Sequence, residues 1–187
     1  MNDGAILRDI LRVDHAGEYG AIRIYRAQIA MARWRAPDLV PMLTEALADE
    51  MRHRDHFDAG LRARGLRPCD MLPLWGVGGS LLGGGTSLLG RSAILVCTEA
   101  VERTVHRHMD EQVAWLTPRE PALAEVIATI RDEEVEHLRR AQDSHGAPLA
   151  LWLRALDVLV AGTTELLVWL STYGVSARLQ RRIGRGL

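Results

Sequence analysis

The chain of 187 residues contains no lysine; all 23 of its basic residues are arginines. They are offset by 24 carboxylates, so the formal net charge is -1 and there is no overall positive field of the kind that holds nucleic acid. Cysteine is scarce as well. Cys69 and Cys97 form neither a C-x-x-C pair nor a framework of bridges, which excludes a disulfide scaffold and leaves no thiolate set for a structural zinc. Both read as packing thiols of a reducing cytoplasm. No stretch alternates with period two for long enough to be a strand, and no G-x-G-x-x-G follows one, so a dinucleotide-binding unit is not encoded. The opening MNDGAILRDILRVDH carries charge too early and too often for a secretory signal. It is also unlike an Arg-rich, acid-poor transit peptide, so the mature chain is expected to begin near Met1, on the cytoplasmic side.

What is present is helical spacing, on an ordinary globular composition of 48% apolar and 25% charged residues. The length suits one domain, residues 1–187, with a substantial core. A first helix is predicted over 5–34, with Leu7, Leu11, Glu18, Ile22, Tyr25 and Ile29 along one stripe. A second runs from Pro37-Asp38 to Arg64, closed by Gly65. A third covers 91–116. A fourth is expected to open on the capping box Thr117-Pro118-Arg119-Glu120 and to run to Ser144. A fifth, apolar helix covers 149–173.

Two segments lack charge where the others are amphipathic. Residues 71–90, MLPLWGVGGSLLGGGTSLLG, have none, and hold seven of the 17 glycines. Residues 149–173 carry only Arg154, Asp157 and Glu165 among many Leu, Val and Trp. A spanning helix needs about 20 predominantly apolar residues. Glycine dilutes the first segment, and charge interrupts the second where a span is driest. Both suit a bilayer interface, or the wall of an apolar tunnel, better than a crossing. Packing on each other as ordinary core is the plainer alternative. Arg178, Arg181, Arg182 and Arg185 in the tail suit anionic headgroups or a solvated terminus.

The charged run RDEEVEHLRR at 131–140 resembles a solvated helix face until its register is examined. Glu134-x-x-His137 repeats Glu50-x-x-His53 at an offset of 84 residues, and the same offset carries Glu18 onto Glu102. Leu11, Ala16, Arg23, Gln28, Ala30, Pro37 and Leu39 meet identical residues under that shift. Residues 10–58 and 94–142 therefore read as two copies of one helical hairpin, with a Glu on the first helix and E-x-x-H on the second. Residues i and i+3 share a helix face, so each Glu and His reach one point. Two single Glu and two E-x-x-H pairs pointing into a bundle are the donor set of a dinuclear carboxylate site. Four carboxylates against two divalent cations are neutral, which makes burial tolerable, and the oxygen-rich set suits two iron or manganese ions with positions open for O2. Glu45, Glu99, Glu133 and Glu136 lie close by. The register selects Glu18, Glu50, His53, Glu102, Glu134 and His137.

The remaining polar residues carry weaker signals. His15 and His106 are within a turn of Glu18 and Glu102 and suit outer or half-exposed positions, while His56, His108 and His145 fall on polar stretches. Asp14 suits either a hold on a ligand imidazole or the surface. Tyr19 and Tyr25 suit core packing by default, or a redox or hydrogen-bonding role. Gly17 and Gly20 cost helix stability and make sense where a neighbouring helix or a substrate approaches beside Glu18.

With these motifs the chain resembles the demethoxyubiquinone hydroxylases of ubiquinone (coenzyme Q) biosynthesis. LRVDHAGEYGA at 11–21, MLPLW at 71–75, LLG at 88–90, CTEAVE at 97–102 and RDEEVEH at 131–137 carry the likeness in family order. The resemblance implies an all-α, ferritin-like four-helix bundle with extra apolar helices at the membrane interface. It implies two Fe ions on the six residues above, with Glu50 and Glu134 bridging, and O2 as co-substrate. It further implies hydroxylation of a demethoxyquinone or quinol ring bearing a polyprenyl tail, by a protein attached peripherally to the cytoplasmic face of a bacterial cell membrane. The electron donor is open between a separate reductase and the quinol itself. A homo-oligomer, or assembly with other ubiquinone-biosynthesis proteins, is an open expectation too. The rival reading is a ferritin- or rubrerythrin-like protein that oxidises iron without an organic substrate; the apolar, glycine-rich 71–90 does not suit a solvated cage.

Overall fold

The computed structural model describes residues 3–145 and 150–172, and every regular element within them is helical. Helix α1 spans Asp3–Arg35, and a 3-10 turn at Pro37–Leu39 leads into α2, Val40–Ala63. Then come α3, Leu72–Leu89; α4, Arg91–Leu116; α5, Pro121–Asp143; and α6, Leu151–Ser171. The boundaries follow local chemistry. Pro37 supplies the fixed φ of a first turn, and Gly65 ends the α2 region at φ 63°, a left-handed conformation open to glycine. The Arg-rich tail, expected to face headgroups or solvent, lies outside the described residues, as do the first and last residues of the expected 149–173 helix.

One expected boundary is corrected. Thr117 does not cap the following helix. Its backbone is helical, its N–H and its hydroxyl both donate to Val113 O, and it finishes α4 instead. Helix α5 starts later, with Pro121 in its first turn and no side-chain cap. Hydroxyl groups in a last turn bond back to i−4 carbonyls as readily as they cap forward, so the four-residue pattern alone does not choose between the two.

Helices α1 and α2 pack as one pair and α4 and α5 as another, with α3 against α1 and α6 against α4. Two apolar layers fill the bundle. One contains Ile6, Ile10, Leu11, Phe57, Leu61, Met109, Leu116, Ile127 and Ile130. The other contains Tyr25, Ala32, Leu39, Leu43, Ala46, Ile94, Leu95 and Ala141. On each of α1, α2, α4 and α5 the candidate ligands fall between a residue of one layer and a residue of the other. The polar belt is therefore closed off from water at both ends by hydrocarbon.

Helix α3 explains much of the glycine in 71–90. A Cβ on Gly79 would stand 2.4 Å from Gly20 O, and one on Gly83 would stand 2.4 Å from Ile24 O. The α3 backbone lies directly on α1, which only glycine permits at those two positions. The opposite side of α3 leaves Val77 and Leu81 exposed, and α6 leaves Val158, Leu159 and Leu166 exposed. Among the described residues no helix is long and apolar enough to cross a membrane.

Candidate metal centre

All six residues selected by the 84-residue register meet in the polar belt, each with no more than 6% of its surface exposed. Ligand atoms of Glu18, Glu50, His53 and Glu134 lie within 4.8 Å of one another, and so do those of Glu50, Glu102, Glu134 and His137. Glu50 and Glu134 belong to both sets. His53 Nδ1 stands 2.9 Å from Glu134 Oε1 and 3.8 Å from Glu18 Oε2. His137 Nδ1 stands 3.2 Å from Glu134 Oε2 and 3.9 Å from Glu50 Oε1. Each imidazole thus turns the same nitrogen inward, as expected of two E-x-x-H turns facing each other.

Four carboxylates in a dry space cannot all stay ionised without compensating charge. Burial raises Glu18 to about 7, its largest cause, and raises Glu50 and Glu102 well above the usual carboxylate range. Glu134 goes the other way: burial opposes ionisation, but contacts from His137, His53 and Glu102 hold it low. Burial likewise opposes the charging of the imidazoles, yet Glu134 and the surrounding carboxylates raise His53 to about 9 and His137 to about 10. Divalent cations would supply the positive charge that lets these carboxylates ionise. Glu50 Oε1 and His53 Nδ1 are left buried without a hydrogen bond of good geometry. A donor set of four carboxylates and two imidazole nitrogens, with orphaned lone pairs turned inward, fits two divalent cations.

The outward nitrogens are held in a crossed arrangement. His53 Nε2 lies 2.8 Å from Glu133 Oε2, and His137 Nε2 lies 3.0 Å from Asp49 Oδ2. Each acid immediately precedes the Glu of its own E-x-x-H but holds the histidine of the other. Arg52 bonds both acids, reaching Glu133 at 3.1 Å. A carboxylate on the outer N–H fixes the tautomer and leaves the inner nitrogen free to bind metal. Tyr25, fully buried, donates its hydroxyl to Glu102 Oε1.

Beside the belt is an apolar cavity of about 100 Å³ between α1, α3, α4 and α6, walled by Ile10, Val13, Trp75, Leu82, Met109 and Leu167. Glu18, Glu50, Glu102 and Glu134 form its inner end. Residues of 71–90 and of the last helix, segments expected to meet a bilayer interface or to wall an apolar tunnel, both line this cavity.

Residues 5–171 match the family model for "Ubiquinone biosynthesis protein COQ7". The chain belongs to that family. It is 37% identical over 175 residues to the mouse NADPH-dependent 3-demethoxyubiquinone 3-hydroxylase, mitochondrial, covering 91% of this chain and 79% of the relative. It is 38% identical over 167 residues to the 3-demethoxyubiquinol 3-hydroxylase of Rhodospirillum rubrum, covering 89% and 78%. The Saccharomyces cerevisiae 5-demethoxyubiquinone hydroxylase is 35% identical over 152 residues, covering 73% and 65%.

In this COQ7-family chain the rival carboxylates fall outside the belt. Glu45 and Glu136 pair with Arg140, Glu99 faces His145, and Glu133 touches His53 from its solvent side. Asp14 does not hold a ligand imidazole; Gln112 bonds it instead, at 2.7 Å. His108 is not on a polar surface but buried, 3.2 Å from Glu165. His15 faces Asp58 and His106 faces Asp110. Gly20 gives way to the Trp75 ring, whereas a Cβ on Gly17 would meet nothing within 4 Å. The acids Asp49 and Glu133 are the pair the sequence reading missed as holders of the histidines. Their signal was available, since they are separated by the same 84 residues as the ligands.

Proposed function

We propose that this chain hydroxylates the ring of demethoxyubiquinone, or its quinol, with O2 at a di-iron centre, in the synthesis of ubiquinone. The observation that carries the reading is the convergence of Glu18, Glu50, His53, Glu102, Glu134 and His137 at the end of an apolar cavity. Family membership and the hydroxylase names of its relatives support the reaction type. In this reading Glu18, Glu50, His53, Glu102, Glu134 and His137 would hold the two ions, with Glu50 and Glu134 common to both groups of ligand atoms. In the same reading the described helices belong to one ferritin-like domain whose repeat halves are 10–58 and 94–142.

Two ferrous ions supply what dioxygen chemistry requires, a paired source of electrons close to the ring. The chain's own residues do the rest. Asp49 and Glu133 orient the histidines, Tyr25 holds Glu102, and the apolar layers above and below keep water from the reacting edge. The cavity wall accepts the ring, and its α3 and α6 sides receive the polyprenyl tail. Per turnover, one oxygen atom enters the ring C–H bond and the other leaves as water, so two electrons from a donor and two protons are consumed. A separate reductase or the quinol fills that role.

The exposed apolar residues of α3 and α6 support peripheral attachment to a bilayer. With the free thiols Cys69 and Cys97, they suit the cytoplasmic face of a bacterial cell membrane.

The test is one turnover. The iron-loaded protein is reduced, given a short-tailed demethoxyquinone and labelled O2, and the quinone is analysed by mass spectrometry. A product heavier by one labelled oxygen is expected. Oxidised iron with unchanged quinone would move the assignment to an iron-oxidising protein.

A further inference from the structure

The cavity wall contains several polar side chains, and most are already engaged. Thr163 and Thr164 donate to Leu159 O and Val160 O, Asp9 pairs with Arg8, and His108 faces Glu165. Three residues of the wall retain a buried polar atom without a hydrogen-bonding partner. One is Glu50, in the metal centre. The others are Asp14, through Oδ2, and Gln112, through Oε1.

Asp14 on α1 and Gln112 on α4 are 8% and 5% exposed. Gln112 Nε2 donates to Asp14 Oδ1 at 2.7 Å, which fixes both side chains. Burial, its largest cause, pushes the Asp14 carboxyl well above its usual range, with the Gln112 bond opposing and the Glu18 charge assisting. The pair presents two unpartnered oxygens, Asp14 Oδ2 and Gln112 Oε1, to a mostly apolar wall. A buried pair left half-satisfied is costly to keep unless something completes it.

Its position is informative. Asp14 lies four residues before Glu18 on one face of α1, about 6 Å along the axis. Gly17 lies between them on the cavity wall, with open space where its Cβ would be. A flat ring laid over Gly17 can touch Asp14 with one oxygen and turn its far edge toward Glu18.

We propose that Asp14, held by Gln112, anchors a ring oxygen of the substrate head group, and that Gly17 is the gap in which the ring lies. The proposal rests on the reading that the cavity receives an oxygenated aromatic ring, and it adds which residues orient that ring.

Binding without turnover tests it. The metal-loaded full chain is titrated anaerobically with 4-pentylphenol and with pentylbenzene, which differ by one ring hydroxyl. In Asp14→Leu the phenol is expected to bind roughly tenfold more weakly and pentylbenzene no more weakly than before. Asp14→Asn keeps a donor and the bond to Gln112, so it should retain most of the phenol affinity. Gly17→Leu should weaken both ligands. Gln112→Leu should reproduce the selective loss, and it serves as the second variant if Asp14→Leu does not fold.

Equal weakening of both ligands in Asp14→Leu and Gln112→Leu, or weakening of neither, would overturn the anchor. A wild-type chain that oxygenates quinone while those variants keep their selectivity removes the anchor and leaves the hydroxylase. Selective loss in a chain that never oxygenates a ring does the reverse.

Discussion

At the scale of single residues, the crossed acids are the sharpest consequence of the structure. Asp49 and Glu133 are not proposed to touch metal; they hold the outer nitrogens of His137 and His53. Glu133→Gln and Asp49→Asn are expected to keep the fold and lower metal affinity by about 10- to 100-fold. A competition titration against a chelator checks this, with ligand variants Glu134→Ala and His53→Ala expected to lose stoichiometric metal and turnover. Unchanged affinity in both acid variants would mean that packing alone aims the imidazoles. Cys97 gives a pH-dependent expectation. Burial pushes its thiol up to about 12, from an ordinary 9. The folded state then keeps a proton that the unfolded state loses, so this contribution is complete below pH 9 and is lost as pH rises toward 12. Cys97→Ala should flatten that alkaline limb of stability, measured by urea unfolding from pH 8 to 10.5. The six residues that converge in the polar belt were legible in the sequence because their positions share an 84-residue offset, and an offset identifies positions without reference to contacts. Asp14 and His108 were not. A lone polar residue on a helix gives the same local signal whether its face meets solvent or a fourth helix, and only the packing of α4 and α6 decides.

At the scale of elements, α3 sets neighbouring glycines against each other. Gly83 has no room for a methyl group, since the obstacle is the Ile24 backbone, which cannot swing aside. Gly84, one residue on, has nothing within 4 Å. Gly83→Ala is expected to destabilise the protein by about 1–3 kcal/mol through overpacking. Gly84→Ala should stabilise it by about 0.5–1 kcal/mol, because alanine loses less conformational freedom in a helix. Thermal melts should move in opposite directions, by ~2–4 °C per kcal/mol for a chain of this size. If Gly83→Ala melted like wild type, α3 would not lie against α1 as described. Most helix positions were legible from 3.6-residue spacing and from Gly and Pro at the ends. The start of α5 was not, because Thr117 satisfies the backbone behind it rather than ahead. Which glycines in 71–90 are obligatory was hidden too, since that depends on the partner helix.

At the scale of the whole molecule, the bundle closes its polar belt with two apolar layers and yet leaves apolar side chains outside. Leu81 on α3 and Leu159 on α6 are 71% and 64% exposed, on helices that together wall the cavity. Composition revealed the two apolar segments but not which sides would be covered, because both helices spend one face on the bundle and keep another free. If that free face enters a bilayer, a tailed quinone reaches the cavity without crossing water, and the metal centre need not move. Each leucine withdrawn from an apolar phase forfeits ~1.5–3 kcal/mol. Leu81→Glu with Leu159→Glu should therefore lower partitioning onto anionic lipid vesicles by at least about 100-fold, read by flotation. Neither residue is near the six ligands in sequence, so the double variant should retain metal and its helical circular dichroism. It should still turn over a short-tailed quinone free in solution while failing with a long-tailed quinone held in vesicles. That split separates delivery from chemistry. A double variant that floated with vesicles as wild type does would show that this face meets something other than lipid.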